Sequence, residues 1–504
     1  MNRFLILLGV GAMALTMGEY AGAADRNKRP NVLFIAMDDM NDWVGCLGGH
    51  PQAKTPHIDA LAKQGILFTN AHCAAPLCNP SRAAVFSGRQ PFNTGIYNNG
   101  SSLKDVRSEV TLMPQAFKAA GYQTYGTGKL LHKGSKGLWD REFFPEQRWS
   151  PFSKDQVKYT EEELPSKGTS SPRHVIKSGP NGRETILPLN RMPSDRRPNK
   201  VDGESFDWGP FDIADSQMGD GQITDWANDC LREHRERSDD SPFFLAVGYY
   251  RPHIPLFAPS RYFMDYPEEK TILPPILEND RADLPETAKR WVSEAGTAGS
   301  HATVLKYGQH KAGVAAYLAC VTFVDAQIGR LLETLHTTGQ AANTIIVLWS
   351  DHGWHLGEKQ HWGKWTGWER STRVPLIFAM DPTKQTNLVV PNRRCSAPVS
   401  LIDMYPTLVE MCALPAVASL DGRSLVSLLK DPAQSTDRVV VTTFGEGNYS
   451  LRSARYRYIR YADGSEELYD HKNDPNEWIN LANNPELAHI KRGMKQQLPK
   501  RMGG

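Results

Sequence analysis

Cysteine is scarce and unpatterned in this chain, with seven residues in 504, at Cys46, Cys73, Cys78, Cys230, Cys320, Cys395 and Cys412. That spacing lacks the density of a disulfide scaffold, and neither a Cys-x-x-Cys pair nor a Cys/His zinc pattern occurs. An excess of one charge is missing too. Lys and Arg number 58 against 56 Asp and Glu, a formal net charge of +2. This excludes a general nucleic-acid or anionic-membrane binder, so any anion recognition must be local. No internal repeat or low-complexity tract is present. The N-terminal apolar stretch, Phe4 to Met17, is shorter than the roughly 20 residues that span a bilayer.

That short stretch has a different meaning. Arg3 precedes it and Ala21-Gly22-Ala23 follows, the layout of a secretory signal peptide over 1–23 with small residues at the cleavage site. The expectation is a periplasmic or secreted protein with no stable membrane insertion after cleavage. No cysteine follows the cleavage point to carry a lipid anchor. About 480 residues would remain, more than one core of about 250–300 residues holds. We expect a large α/β domain over 24–430 and a smaller C-terminal sheet subdomain over 431–504. Export permits disulfides without requiring them, and the pairing of the six cysteines other than Cys78 is not deducible.

Short apolar runs, polar loops and amphipathic segments alternate along the chain, which predicts helices layered on a large, mostly parallel sheet. Asn31 to Met37, Phe243 to Gly248 and Thr344 to Trp349 read as strands, and the run after Gly121 leads into Gly126-Thr127-Gly128-Lys129. Helices are predicted over Ile58 to Lys63, Leu112 to Ala120 and about Lys311 to Leu335. Between about His132 and Ser216 the chain is polar and rich in Pro, Gly and charge. A loop that long is more naturally a substrate-holding element than a domain. Near the C-terminus, Val439 to Phe444 and Ala454 to Tyr461 read as strands, with a hairpin turn at Asp463-Gly464.

The strand ends carry the chemistry. Asp38-Asp39, Lys129, His253 and Asp351-His352 each follow an apolar run, and ligands of open α/β sheets bind outside the carboxyl ends of strands. Asp38, Asp39 and Asp351 are carboxylates suited to a hard divalent ion such as calcium. His352 is a less usual neighbour for calcium, and its presence leaves magnesium or manganese open. Arg82, Lys129 and Lys364 are candidates for neutralising an oxyanion. Lys364 lies in Trp362-Gly363-Lys364-Trp365, thirteen residues after Asp351, an unusual setting for a solvated lysine. His132 and His253 are the groups matched to proton transfer near neutral pH.

Residues 78–89 read Cys-Asn-Pro-Ser-Arg-Ala-Ala-Val-Phe-Ser-Gly-Arg. This stretch resembles the type I sulfatase signature, Cys/Ser-x-Pro-Ser-Arg with a Thr/Ser-Gly-Arg/Lys tail. Nearly the whole mature chain shares the resemblance, and several segments look like the iduronate-2-sulfatase branch. These are Gly128-Lys129-Leu130-Leu131-His132, the run from Phe243 through Arg251-Pro252-His253, and Ser350-Asp351-His352-Gly353-Trp354. The Asp-His pair differs from the Asp-Asn of arylsulfatases. Leu468-Tyr469-Asp470, Asp474-Pro475, Glu477 and Asn480-Leu481 are similar to the ending of bacterial sulfatases.

The resemblance implies an alkaline-phosphatase-like sandwich and a formylglycine mechanism. A formylglycine-generating maturation enzyme would oxidise Cys78 to the aldehyde. Asp38, Asp39, Asp351 and His352, with the converted Cys78, would surround one calcium ion per chain. Arg82 and Lys129 would steady the aldehyde hydrate, one oxygen of which attacks sulfur. His253 and Lys364 would contact the sulfate ester, with His253 protonating the leaving oxygen. His132 would help remove the proton whose loss expels sulfate. The substrate implied is a sulfated carbohydrate such as a 2-O-sulfated uronic acid. The stretch Arg89 to Tyr97 departs from that branch, which is more charged there and has an arginine near the Gly95 position. The likeness therefore reaches the desulfation machinery and stops short of a particular sugar. Two other functions fit parts of the pattern. One is a phosphonate or phosphate ester hydrolase of the same superfamily. The other is an inactive binder of sulfated glycans, which requires a lost catalytic group, whereas every expected position is present.

Overall fold

In the computed structural model, residues 29–499 are described, except 104–105, 107–109, 133–135, 149, most of 153–205, 238–240, 294–298 and 382–388. The segment 1–23 expected to be a signal peptide, and most of the long polar loop, lie outside the described residues.

The central sheet has eight strands: β1 (Asn31–Met37), β2 (Gly65–Phe68), β3 (Gln123–Gly128), β4 (Arg141–Phe143), β5 (Phe243–Gly248), β6 (Thr344–Ser350), β7 (Leu376–Ala379) and β8 (Arg393–Cys395). Their spatial order is β8-β2-β7-β6-β1-β5-β3-β4. The block from β6 to β4 is parallel throughout, whereas β7 runs antiparallel to both of its neighbours. The mostly parallel sheet is thus observed, with one reversed strand inserted near an edge.

Side-chain alternation along β1 divides the core into two layers. Leu33, Ile35 and Met37 face α1 (Pro56–Gln64), α4 (Gly219–Arg235) and α5 (His310–Thr337). Val32, Phe34 and Ala36 face α2 (Cys78–Ser87), α3 (Met113–Ala119) and α6 (Met404–Met411). Every residue of β5 and β6 is buried, which explains why these strands read as unbroken apolar runs. Phe117 stacks on Phe244 at 4.2 Å between ring centres. Truncating such a ring to alanine would cost about 3–5 kcal/mol. Helix α5 is long and apolar enough to cross a bilayer; here it is a core helix, with 19 of its 28 residues buried.

The C-terminal sheet comprises β9 (Val440–Thr443), β10 (Tyr449–Arg452), β11 (Tyr456–Arg460) and β12 (Glu466–Asp470), paired antiparallel in chain order. The predicted hairpin turn is present, with Gly464 in the left-handed region at φ 102°. Phe444, Ile459, Tyr461 and Tyr469 form a cluster with Trp368 and Leu284 of the large domain, so the small sheet is seated on the segment that follows Lys364.

Candidate active site

The register of the sheet brings four strand ends to one rim. The Asp351 amide donates to the Met37 carbonyl at 3.2 Å, Tyr249 N to Ala36 at 2.8 Å and Lys129 N to Gly248 at 2.7 Å. Asp38, Asp39, Lys129, the turn before His253 and Asp351-His352 therefore leave the sheet at one level. The tight exit of β3 requires its glycine. Gly128 has φ +68°, and a Cβ there would stand 2.1 Å from the Gly248 carbonyl oxygen, so no other residue fits without displacing the strands. Asp39 also takes a positive φ, 63°, an uncommon state for a residue with a side chain. There its amide donates to Asp351 Oδ1 at 3.1 Å.

Helix α2 begins at Cys78 and aims its N-terminus at that rim, where free N–H groups favour anions. Lys364 Nζ lies 3.0 Å from Cys78 Sγ, His352 Nε2 3.4 Å and Lys129 Nζ 3.5 Å. Lys364 Nζ also donates to Asp39 Oδ1 at 2.6 Å, and Lys129 Nζ to Asp38 Oδ2. His253 Nδ1 faces the Ile254 carbonyl and leaves Nε2 turned to Asp39 Oδ2 at 3.9 Å. One turn into α2, the fully buried Arg82 spends its guanidinium on Asp351 Oδ2 at 2.8 Å and on the Met37 and Lys129 carbonyls. It buckles helix to strand ends from behind the cysteine.

Nine of the ten residues singled out in the sequence form this connected cluster. The tenth, His132, feels the charges of Lys129, Asp38, Lys364 and Arg82. Its Nδ1 is buried with no hydrogen-bond partner among the described residues. Burial, with Lys129 adding to it, pushes the His132 pKa down to about 4. Burial likewise lowers His352, and burial with Lys364 and Lys129 lowers His253. Burial raises the Cys78 thiol, with Asp38 reinforcing the effect. For Asp38, burial acts upward but the surrounding cations, Lys129 foremost, hold it well below the usual carboxylate range. Asp39 is lifted to about 7 by burial and by its acidic neighbours, against the pull of Lys364.

The donor set fits a hard cation. Among the described residues, one oxygen each of Asp38 and Asp39 is buried without a hydrogen-bond partner, a costly state that an ion would relieve. Donor atoms of Asp38, Cys78, Asp351 and His352 lie within 4.8 Å of one another, as do those of Asp38, Asp39, Cys78 and His253. Carboxylates with one imidazole are ligands for calcium, magnesium or manganese.

Several supporting residues carried no sequence signal. Asp220 accepts the Tyr250 and Arg251 amides at 2.8 and 2.9 Å and so holds the turn before His253. Asn99 Oδ1 accepts the Asn79 amide at 3.0 Å beside Cys78. Ser81, which lies within the 78–89 motif, donates its Oγ hydrogen to the Asp351 carbonyl at 2.6 Å, a tie that the motif alone does not reveal. Paired contacts across such sequence distances leave no periodicity to find.

A carboxylate cluster suited to a divalent ion, facing a helix N-terminus at the carboxyl rim of this sheet, defines a hydrolase of the alkaline-phosphatase-like fold. More narrowly, the chain belongs to the sulfatase family: the sulfatase family model matches residues 30–412. A second model, the C-terminal part of N-sulphoglucosamine sulphohydrolase, matches residues 357–503. A sulfatase from Formosa agariphila is 35% identical, over 99% of this chain and 92% of that protein. Iduronate 2-sulfatase from Homo sapiens is 30% identical, over 82% of this chain and 74% of that protein. Among solved structures, a phosphonate monoester hydrolase from Silicibacter pomeroyi superposes with a TM-score of 0.70 at 23% identity, covering 93% of this chain and 94% of that one; this likeness concerns the fold. The chain is a sulfuric ester hydrolase.

Proposed function

We propose that this enzyme is an exported, calcium-dependent sulfatase that removes sulfate from a carbohydrate, and that its nucleophile is Cys78 after conversion to formylglycine. The likeness to iduronate 2-sulfatase favours a 2-O-sulfated uronic acid or a related polysaccharide unit. One observation carries the reading: Cys78 Sγ lies 3.0 to 3.5 Å from Lys364, His352 and Lys129, beside carboxylate oxygens that have no hydrogen-bond partner among the described residues. The thiol sulfur marks where the oxygens of the aldehyde hydrate would stand.

When present, the cation neutralises developing negative charge and the formylglycine hydrate supplies an oxygen nucleophile. Asp38, Asp39, Asp351 and His352 are the chain's ligands for the ion. Arg82 fixes Asp351 and the strand ends, which keeps these ligands in register. Lys129 and Lys364 flank the position of the reacting atom and bind sulfate oxygens, as fixed cations do in a water-poor site. His253, whose Nδ1 donates to the Ile254 carbonyl, can deliver a proton from Nε2 to the leaving sugar oxygen only as the imidazolium. Burial, Lys364 and Lys129 disfavour that form in the free site, and the negative charge of a bound sulfate ester favours it. His132 Nδ1 accepts the proton whose removal releases sulfate.

The test is sulfate release from a 2-O-sulfated uronate disaccharide, using enzyme whose Cys78 conversion is confirmed by peptide mass. Release that is absent in Cys78→Ala supports the proposal. No release from fully converted enzyme moves the substrate to another sulfated glycan. Faster turnover of a matched phosphonate monoester would favour the phosphonate hydrolase reading instead.

A further inference from the structure

Lys364 sits on a segment with little regular structure of its own. It follows the two-residue strand Trp362–Gly363 and precedes the short helix Glu369–Thr372. Trp365 next to it has a positive φ, 70°. Backbone carbonyls in such a stretch need partners from elsewhere, and they have them. His361 Nε2 meets the Lys364 carbonyl at 3.2 Å, and Trp291 Nε1 donates to that of Trp365. The Trp365 amide donates at 2.9 Å to the Pro76 carbonyl, two residues before Cys78.

The last clamp comes from the C-terminal sheet. Ser450 of β10 and Arg457 of β11 both donate to the Gly367 carbonyl, at 2.6 and 2.9 Å. Arg457 is fully buried. It also donates to Ser450 Oγ at 2.6 Å and to Glu477 and Glu369, while the second oxygen of Glu477 accepts the Glu369 amide at 2.8 Å. Gly367 and Glu369 are thereby fixed from outside, three and five residues beyond Lys364.

We propose that Arg457 is a positioning residue for desulfation. Through the Gly367 carbonyl, the C-terminal sheet sets the path of the segment that aims Lys364 Nζ at Cys78. The inference rests on Lys364 being a sulfate-binding cation. It assigns the small sheet a part in catalysis beyond covering the large domain. A planar fork is needed to serve Glu369, Glu477, Ser450 and Gly367 together, and a lysine lacks that geometry.

The test compares Arg457→Lys and Ser450→Ala in the wild-type and Lys364→Ala backgrounds, with 4-nitrophenyl sulfate as probe and Cys78 conversion verified in each protein. Arg457→Lys is expected to lower kcat about tenfold with KM little changed, since small misplacements of a catalytic group are costly. Ser450→Ala should lower it less. In the Lys364→Ala background both should change kcat by less than about twofold, because residues acting as a unit are not additive. Amide exchange in 362–368 should also quicken in Arg457→Lys. Leu451→Ala, which removes core from the small sheet, should lower the melting temperature while leaving kcat and that exchange unchanged. Equal losses in both backgrounds, or an unchanged kcat or exchange in Arg457→Lys, would overturn the proposal. Full activity in Lys364→Ala would overturn the assignment of Lys364 itself, a separate failure.

Discussion

Lys364 Nζ stands 3.0 Å from Cys78 Sγ although 286 residues separate them in the chain. The same ammonium is 2.6 Å from Asp39 Oδ1, so one lysine joins the nucleophile position to the candidate metal ligands. Its charge is held firmly. Burial works against it, but the carboxylates around it, Asp39 foremost with Asp38 and Asp351, outweigh burial and raise its pKa. A cation that cannot lose its proton in the working pH range suits a group that must bind a sulfate oxygen throughout a turnover.

Cys78→Ala should abolish sulfate release while leaving the fold intact. The thiol is buried and its loss removes one small group from a site held by other contacts, at a cost of about 1 kcal/mol. Turnover and a thermal melt measured on the same protein check both halves. Wild-type turnover in this variant would refute the nucleophile assignment.

Asp351→Asn should reduce bound divalent metal and kcat together, the latter by at least about a hundredfold. The isosteric change is preferable to alanine, because Arg82 leans on this carboxylate at 2.8 Å. Stripping a buried partner costs about 3–5 kcal/mol. Elemental analysis beside initial rates provides the check. An active variant with no metal would remove the ion from the mechanism.

How far the sequence carried these assignments depends on how local each signal was. The strands at Asn31, Phe243 and Thr344 were legible because burial on both faces leaves unbroken apolar runs. The rim residues were legible because each ends such a run, and Cys78 and Arg82 because both fall in the short stretch 78–89 that resembles the sulfatase signature. The reversed β7 was not foreseen, since Leu376–Ala379 is four apolar residues whose direction depends on partners far away. Arg457, Glu477 and Asp220 were equally hidden as site supports. Their function lies in which carbonyl or amide they reach, and no periodicity encodes that.

A pH prediction concerns Glu466, at the edge of the C-terminal sheet. Burial tends to raise its pKa, but hydrogen bonds from Tyr458 Oη at 2.7 Å and from Lys491 and Lys495 prevail, bringing it down from 4.5 to about 2. A depressed carboxylate contributes stability above its unfolded pKa and loses it as pH falls towards the folded one. Allowing for solvent screening, the contribution is about 1–2 kcal/mol. Glu466→Gln should therefore be less stable than the wild type at pH 6 by that amount, and the gap should close by pH 2. Denaturant unfolding at both pH values measures it, and a constant gap would contradict the assignment.

Asp220 gives a sharper test of how His253, the proposed proton donor, is held. Its two oxygens accept consecutive amides, Tyr250 N and Arg251 N, so the chain leaving β5 is fixed just before His253. Asp220→Asn keeps the volume but offers one acceptor oxygen and an NH2 group to two N–H donors, so one amide is left facing a donor. The stability cost should be about 1–3 kcal/mol, that of one buried unsatisfied group. Because Asp220 holds the Tyr250-Arg251 turn and not the cluster of cations around Cys78, sulfate binding should survive and KM should stay near the wild-type value. Proton delivery should suffer, and kcat should fall about tenfold or more. An activated ester separates this from general damage. With a leaving group that needs no protonation, such as 4-nitrophenol, the loss should shrink markedly. An equal loss on activated and unactivated esters would mean that Asp220 serves the fold alone.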